Sequence, residues 1–184
     1  MPYVFTASAV QGRRMPLRYI MLRETGPVQN GVVPYFTVVL EDGTMFCRII
    51  GEKNPFTGKL ALMDGTGREL ARIFRVGTPA LSYHTIWQAE RKRAVLTRNL
   101  AAPKLPYRLY SIGWRFRGDC FSGSFDVVDR RGHVVMTHGL CWYGGQERVC
   151  VETLREDALC LCIAAVVDST PRNPLPSACM SPSN

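Results

Sequence analysis

A chain of 184 residues with 46% hydrophobic and 21% charged residues fits one globular domain and is too apolar to be disordered. Residues Met1 to Arg14 lack a charged start followed by an apolar stretch, so no secretory signal is expected. The longest apolar run, Ala158 to Val167, has ten residues, about half of the roughly 20 that a membrane-spanning helix needs.

In chain order, the dominant texture is short β-type runs broken by Gly, Asp and Asn. Tyr35–Leu40 and Met45–Ile50 are predicted to form a hairpin across Glu41-Asp42-Gly43-Thr44, because Asp-Gly between apolar runs is a strong turn signal. Gly51–Gly58, with Asn54-Pro55, reads as a loop. Lys59–Met63 then pairs with Arg68–Arg75 across Asp64-Gly65-Thr66-Gly67. Further strands are expected at Leu81–Trp87, Arg93–Thr97, Tyr107–Ile112, Trp114–Arg117, Ser124–Val128, His133–Thr137 and Arg148–Thr153.

An internal repeat runs through these strands. Phe36-Thr-Val38-Val-Leu-Glu-Asp-Gly43 aligns with Leu60-Ala-Leu62-Met-Asp64-Gly-Thr-Gly67 and with Phe125-Asp-Val127-Val-Asp129-Arg-Arg-Gly132. Alternation buries one face of the sheet, while Asp and Gly supply side-chain-to-backbone bonding and a positive φ. A sheet built by repeated hairpins, closed to remove its exposed edges, follows from the pattern.

The texture changes between Thr153 and Asp168. Early acids and a run of Ala, Leu and Cys favour a helix, although Val166 and Val167 also suit a strand. We read a helix. Being apolar on every side, it must be buried all round, and the place for it in a one-domain β protein is inside the sheet. The domain is thus expected to occupy residues 1–169, followed by a disordered Pro- and Ser-rich tail, 170–184.

With the strands that end in Asp-x-x-Gly stand Gly118-Asp-Cys-Phe-Ser-Gly-Ser-Phe125 and a late helix closing on Ala164-Ala165-Val166-Val167-Asp168. Together they resemble the LURP-one-related family, a branch of the tubby C-terminal-like superfamily that also holds the phospholipid scramblases. The resemblance covers roughly Met15 to Ser169. It implies a closed, mainly antiparallel β barrel of about twelve strands around a central hydrophobic helix. Among the relatives, tubby domains bind phosphatidylinositol bisphosphate through basic side chains, and scramblases are associated with calcium and lipid movement. The Pro-rich N-terminal region and clustered palmitoylation cysteines of scramblases are missing here. No calcium ligand or tubby lipid-binding lysine maps residue by residue onto this chain.

The charge is uneven. The net charge is +8, and Ile86–Gly118 holds eight cations with Glu90 as its sole acid. Arg91, Lys92, Arg93 and Arg98 are the candidate contacts to an anionic surface, with phospholipid headgroups the expected partner. The alternative is a set of solvated strand faces, with Trp87, Tyr107, Tyr110 and Trp114 filling the barrel. Aromatics among cations also suit nucleic acid, a weaker option.

No catalytic motif emerges. Asp64-Gly65-Thr66-Gly67 lacks the second carboxylate of a protease dyad and reads as a hairpin turn. His138-Gly-Leu-Cys141 offers a Cys-His pair, but residues three apart on a strand face opposite sides. His84 and His133 read as sheet residues. Cys160 and Cys162 lie about 200° apart round a helix, a poor arrangement for a shared metal. The seven cysteines contain no Cys-x-x-Cys and are expected to be reduced. Neither cofactor nor metal is expected. A cytoplasmic binding domain, peripheral at the membrane, is the leading reading. An enzyme with an unrecognised Cys/His site and a lipid-scrambling-like protein are the alternatives.

Overall fold

The computed structural model describes residues 15–52 and 57–169. The tail expected at 170–184 and the centre of the loop expected at Gly51–Gly58 lie outside the described residues. The fold is mainly β, with twelve antiparallel strands in a nearly closed barrel and one C-terminal helix. The strands are β1 (Leu17–Arg23), β2 (Val32–Leu40), β3 (Met45–Glu52), β4 (Thr57–Asp64), β5 (Glu69–Gly77) and β6 (Leu81–Gln88). They continue as β7 (Arg91–Asn99), β8 (Tyr107–Tyr110), β9 (Arg115–Asp119), β10 (Ser124–Val128), β11 (Val134–Tyr143) and β12 (Gln146–Thr153). The helix is α1 (Asp157–Asp168).

Sequential strands pair throughout, except at one point. β1 pairs with both β2 and β12, whereas β8 and β9 form the two ends of the hydrogen-bonded sheet. The seam between them is bridged by aromatic side chains. Tyr107 on β8 meets Phe116 on β9 at 5.8 Å between centroids, Phe116 meets Phe125 at 5.4 Å, and Phe125 stacks on His138 at 4.5 Å. Both seam strands are short, four and five residues, which limits the unpaired edge left exposed.

The internal repeat is visible as geometry. Gly43, Gly67 and Gly132 have φ of 84°, 85° and 84°, and their N–H groups donate to Leu40, Asp64 and Asp129. Only glycine adopts this left-handed backbone freely. Asp64 also accepts from the N–H groups of Thr66 and Arg68. Asp129 does the same with Arg131 and His133. Beyond each turn one residue is bulged out of register: Phe46, Leu70 and Val135. A fourth hairpin, β6–β7, has the same bulge at Arg93 but turns through Ala89 and Glu90, with φ of 45° and 58°. Since the strands alternate in direction, these four hairpins and the β12–α1 connection all lie at one end of the barrel.

From that end α1 runs up the barrel axis. Every residue from Leu159 to Val166 has no exposed surface. The inward residues of the strands surround it, among them Met21, Phe36, Val38, Ile49, Leu62, Ile73, Leu96 and Val151. The sequence places ten of the strands within a few residues of their observed ends. It omits β1, in which Tyr19, Ile20 and Met21 are all buried and no alternation signals a half-exposed strand.

Enclosure gives a direct test. Ala164→Arg or Ala165→Asp puts a charge where neither water nor a counter-ion reaches, at a cost of several kcal/mol against a domain stability of about 5–15 kcal/mol. Both variants should be unfolded or insoluble, whereas Arg130→Asp, exposed in the β10–β11 turn, should fold. Cooperative thermal unfolding of soluble Ala164→Arg and Ala165→Asp proteins would show a helix face open to solvent.

Candidate functional site

The connection from β12 into α1 builds a cleft. Glu156 takes a left-handed conformation, φ 57° and ψ 48°, immediately before the helix. No side chain caps the helix N-terminus. The strained link is held from both sides of the seam. Arg93, at the β7 bulge, meets Glu156 at 3.1 Å. Asp129, at the end of β10, accepts from Arg155 at 2.8 Å. Arg155 also lies over the Trp114 ring, 6.0 Å from its centroid, and the Thr153 hydroxyl donates to Asp157.

Between these segments opens a cleft of about 670 Å³. Arg93, Trp114, Arg130, Arg131, His133 and Arg155 carry its chemistry, with Asp129 and Glu156 the acids among its lining residues. The two acids are engaged with Arg155 and Arg93. Among the described residues, Arg130 and Arg131 have no acidic partner. The first backbone N–H groups of α1, which have no acceptor within the helix, add their partial positive charge at the same mouth. The arrangement suits an anion.

Folding redistributes the expected cationic residues. Arg91 and Lys92 are exposed at the start of β7, beside Arg93 on the cleft's rim. Arg98 does not join them. β7 alternates, so Ala94, Leu96 and Arg98 point inward, and Arg98 is 2% exposed near the opposite end of the barrel. It cannot touch an anionic surface from there. Arg117 pairs with Asp126 at 2.6 Å. The linear run of positive charge is therefore not one patch. The basic mouth draws instead on Arg130, Arg131 and Arg155, which lie outside the run; in sequence Arg130 and Arg131 read as turn residues, and Arg155 falls at the start of the helical segment.

The Cys-His candidates separate as strand geometry dictates. β11 keeps an unbroken register with β12 from Met136 to Tyr143, so no bulge at Gly139 turns His138 and Cys141 to one face. His138 points inward and is bonded twice, at 2.7 Å to the Gly123 carbonyl and at 2.7 Å to the Asp168 carboxylate. It ties the end of α1 to the wall. Its acceptor is 30 residues away in sequence, and no local signal marks the pair. Burial pushes the Cys47, Cys120 and Cys150 thiols up to about 12, far from the thiolate form that reacts. Among the described residues no three His, Cys, Asp or Glu side chains gather as metal ligands. No helix in the structure is long and apolar enough to cross a membrane.

His84 sets a pH dependence. It is buried on β6, and its pKa falls from 6.5 to about 3, first through desolvation and then through the Arg98 and Arg75 charges. Below pH 6.5 the unfolded chain binds a proton that the folded chain refuses. Stability therefore declines as pH falls from 6.5 toward 3, by about 1.4 kcal/mol per unit. Denaturant unfolding of His84→Gln should lose about 2 kcal/mol less than the parent between pH 7 and 5. Parallel pH profiles for the two proteins would contradict the assignment.

No protein-family model matches this chain, and no curated protein matches it in sequence. Its fold does have a solved counterpart. The X-ray structure of the Arabidopsis thaliana protein AT5G01750 superposes with a TM-score of 0.55 over 84% of this chain and 90% of that one, at 13% sequence identity. At that identity the likeness is one of fold.

Proposed function

We propose that this chain is a non-catalytic binding domain of the LURP-one-related, tubby-like type, and that its basic barrel end engages anionic phospholipid surfaces, phosphoinositide headgroups foremost. The observation that carries the reading is the mouth itself. Arg91, Lys92, Arg93, Arg130, Arg131 and Arg155 come from three separate segments to one end of the barrel. The acids beside them are Glu90, Asp129 and Glu156, each already paired with an arginine. The cleft is wide enough for a headgroup and open to solvent, as a site facing a membrane must be. The Arabidopsis structure supports the barrel type, and the resemblance of the Asp-x-x-Gly turns and terminal helix supports the family. That His138 is committed to Asp168 and Gly123 supports a role without catalysis. A peripheral, cytoplasmic placement accords with this chemistry.

Vesicle co-sedimentation tests the proposal. Phosphatidylcholine vesicles carrying phosphatidylinositol bisphosphate should retain the protein at low salt and release it as salt rises, because each cation contributes about 1 kcal/mol near an anionic membrane and is screened over about 10 Å at 0.1 M. Arg91→Glu with Arg131→Glu should weaken binding more than tenfold. Both sites are exposed, so the fold should survive. Equal retention of the double variant, or no retention of the parent at low salt, would return these cations to plain solvation.

A further inference from the structure

The β11–β12 hairpin runs on past the strands beside it. β10 pairs with residues 134–138 of β11, and β1 pairs with residues 149–153 of β12. Among the described residues, 141–143 and 146–148 therefore pair only with each other, on either side of the Gly144-Gly145 turn. This overhang carries Trp142, which is 77% exposed. A two-stranded ribbon with no third strand on either edge is marginally stable by itself.

Two cysteines stand at the root of the overhang. His138 and Val151 point into the barrel, so by alternation Gly139, Cys141 and Cys150 point outward. Register sets Cys150 opposite Gly139 and Cys141 opposite Arg148. Cys150 thus faces no side chain directly. It meets Cys141 across the diagonal, and strand twist, larger in two-stranded ribbons, draws such a diagonal together. Both thiols are free, and they are in hydrogen-bond contact. Burial first, then the charge and the hydrogen bond of Cys141, push the Cys150 thiol up to about 12. Access differs between them, since Cys150 is 8% exposed and Cys141 is half-buried. Cys162 also has Cys47 and Cys160 near it, but none of those three has exposed surface.

We propose that Cys141 and Cys150 form a redox modification site, at which a small-molecule disulfide such as oxidised glutathione joins the two sulfurs and clamps the root of the hairpin. Cys141, the accessible sulfur, reacts first. As a thiolate it attacks one sulfur of the reagent, forming a mixed disulfide. One glutathione thiolate leaves and takes up the proton that Cys141 gave. Cys150 then attacks the Cys141 sulfur, the Cys141–Cys150 bond forms, and the second glutathione leaves with the Cys150 proton. Two electrons pass from the protein thiols to the reagent, and the reverse exchange restores both thiols. Once Cys141 is capped, neither its charge nor its hydrogen bond holds the Cys150 proton, and the second attack is intramolecular. A disulfide needs its Cβ atoms about 3.5–4.5 Å apart. The overhang, tied to no third strand, closes the diagonal to that length. The site is independent of the basic mouth.

Treatment of the full chain with oxidised glutathione, alkylation of the remaining thiols and tryptic mapping test it. Trypsin cuts after Arg131, Arg148 and Arg155, so the two sulfurs fall in separate peptides, 132–148 and 149–155. Most molecules should yield these peptides joined, and dithiothreitol should part them. Cys150→Ser should instead retain glutathione on Cys141, whereas Cys141→Ser should keep Cys150 free for alkylation. In the oxidised parent, hydrogen exchange of the amides in 141–148 should slow by about tenfold or more, because the bond closes their loop. Glutathione left standing on Cys141 of the parent, two unjoined peptides, or either peptide joined to one carrying another cysteine would overturn the assignment. Joined peptides with unchanged exchange would overturn the clamp. Should a serine variant fail to fold, the mapping and exchange of the parent decide by themselves.

Discussion

An apolar helix that can show no face to water is the constraint on which this structure rests. α1 has no polar stripe from Ala158 to Val167, so it is stable only where protein surrounds it. The barrel meets that demand with inward-facing strand residues. It must also answer the two helix ends, whose backbone groups and macrodipole cannot be left bare in an apolar interior. At the C-terminal end, α1 has no basic residue in its own last turn, and the wall supplies Arg23 and His138 instead. At the N-terminal end no side chain caps the helix, and the link is steadied by Arg93 and Asp129 acting from opposite sides of the seam.

The two ends consequently differ in chemistry. The helix enters where the hairpin turns gather, and its positive N-terminus reinforces a mouth rich in arginine. It finishes among buried groups, where Arg98, His84 and the half-buried Arg75 sit inside the wall. Closure is incomplete only between β8 and β9. There the aromatic chain from Tyr107 to His138 replaces backbone hydrogen bonds and leads to the residue that holds Asp168. Anchoring of the helix and sealing of the seam thus share His138.

Much of this fold is written locally. The Asp-x-x-Gly turns are legible because hairpin geometry needs a left-handed residue and a side-chain acceptor within four positions, and Asp64, Gly67, Asp129 and Gly132 provide them. The helix is legible because an all-apolar run of ten residues has few places to go. The candidate site is much less so. Arg93 and Arg98 look alike in a linear run of charge, and only strand register, with its period of two and a bulge at Arg93, sends one to the rim and the other inside. Arg130 and Arg131 share the β10–β11 turn and Arg155 lies in the link from β12 to α1, and closure brings the two segments together. The His138–Asp168 bond and the His84–Arg75 row join positions distant in sequence, and neither leaves a motif.

Native-state hydrogen exchange of the α1 backbone amides tests the enclosed helix most directly. If the barrel must open for water to reach them, the amides from Leu161 to Val167 should exchange only through global unfolding. Their exchange free energies should equal the unfolding free energy from denaturant titration and fall in step with it as denaturant is added. Exchange from these amides at a markedly lower free energy, independent of denaturant, would mean that α1 leaves the barrel without unfolding it, and the enclosed-helix account would be wrong.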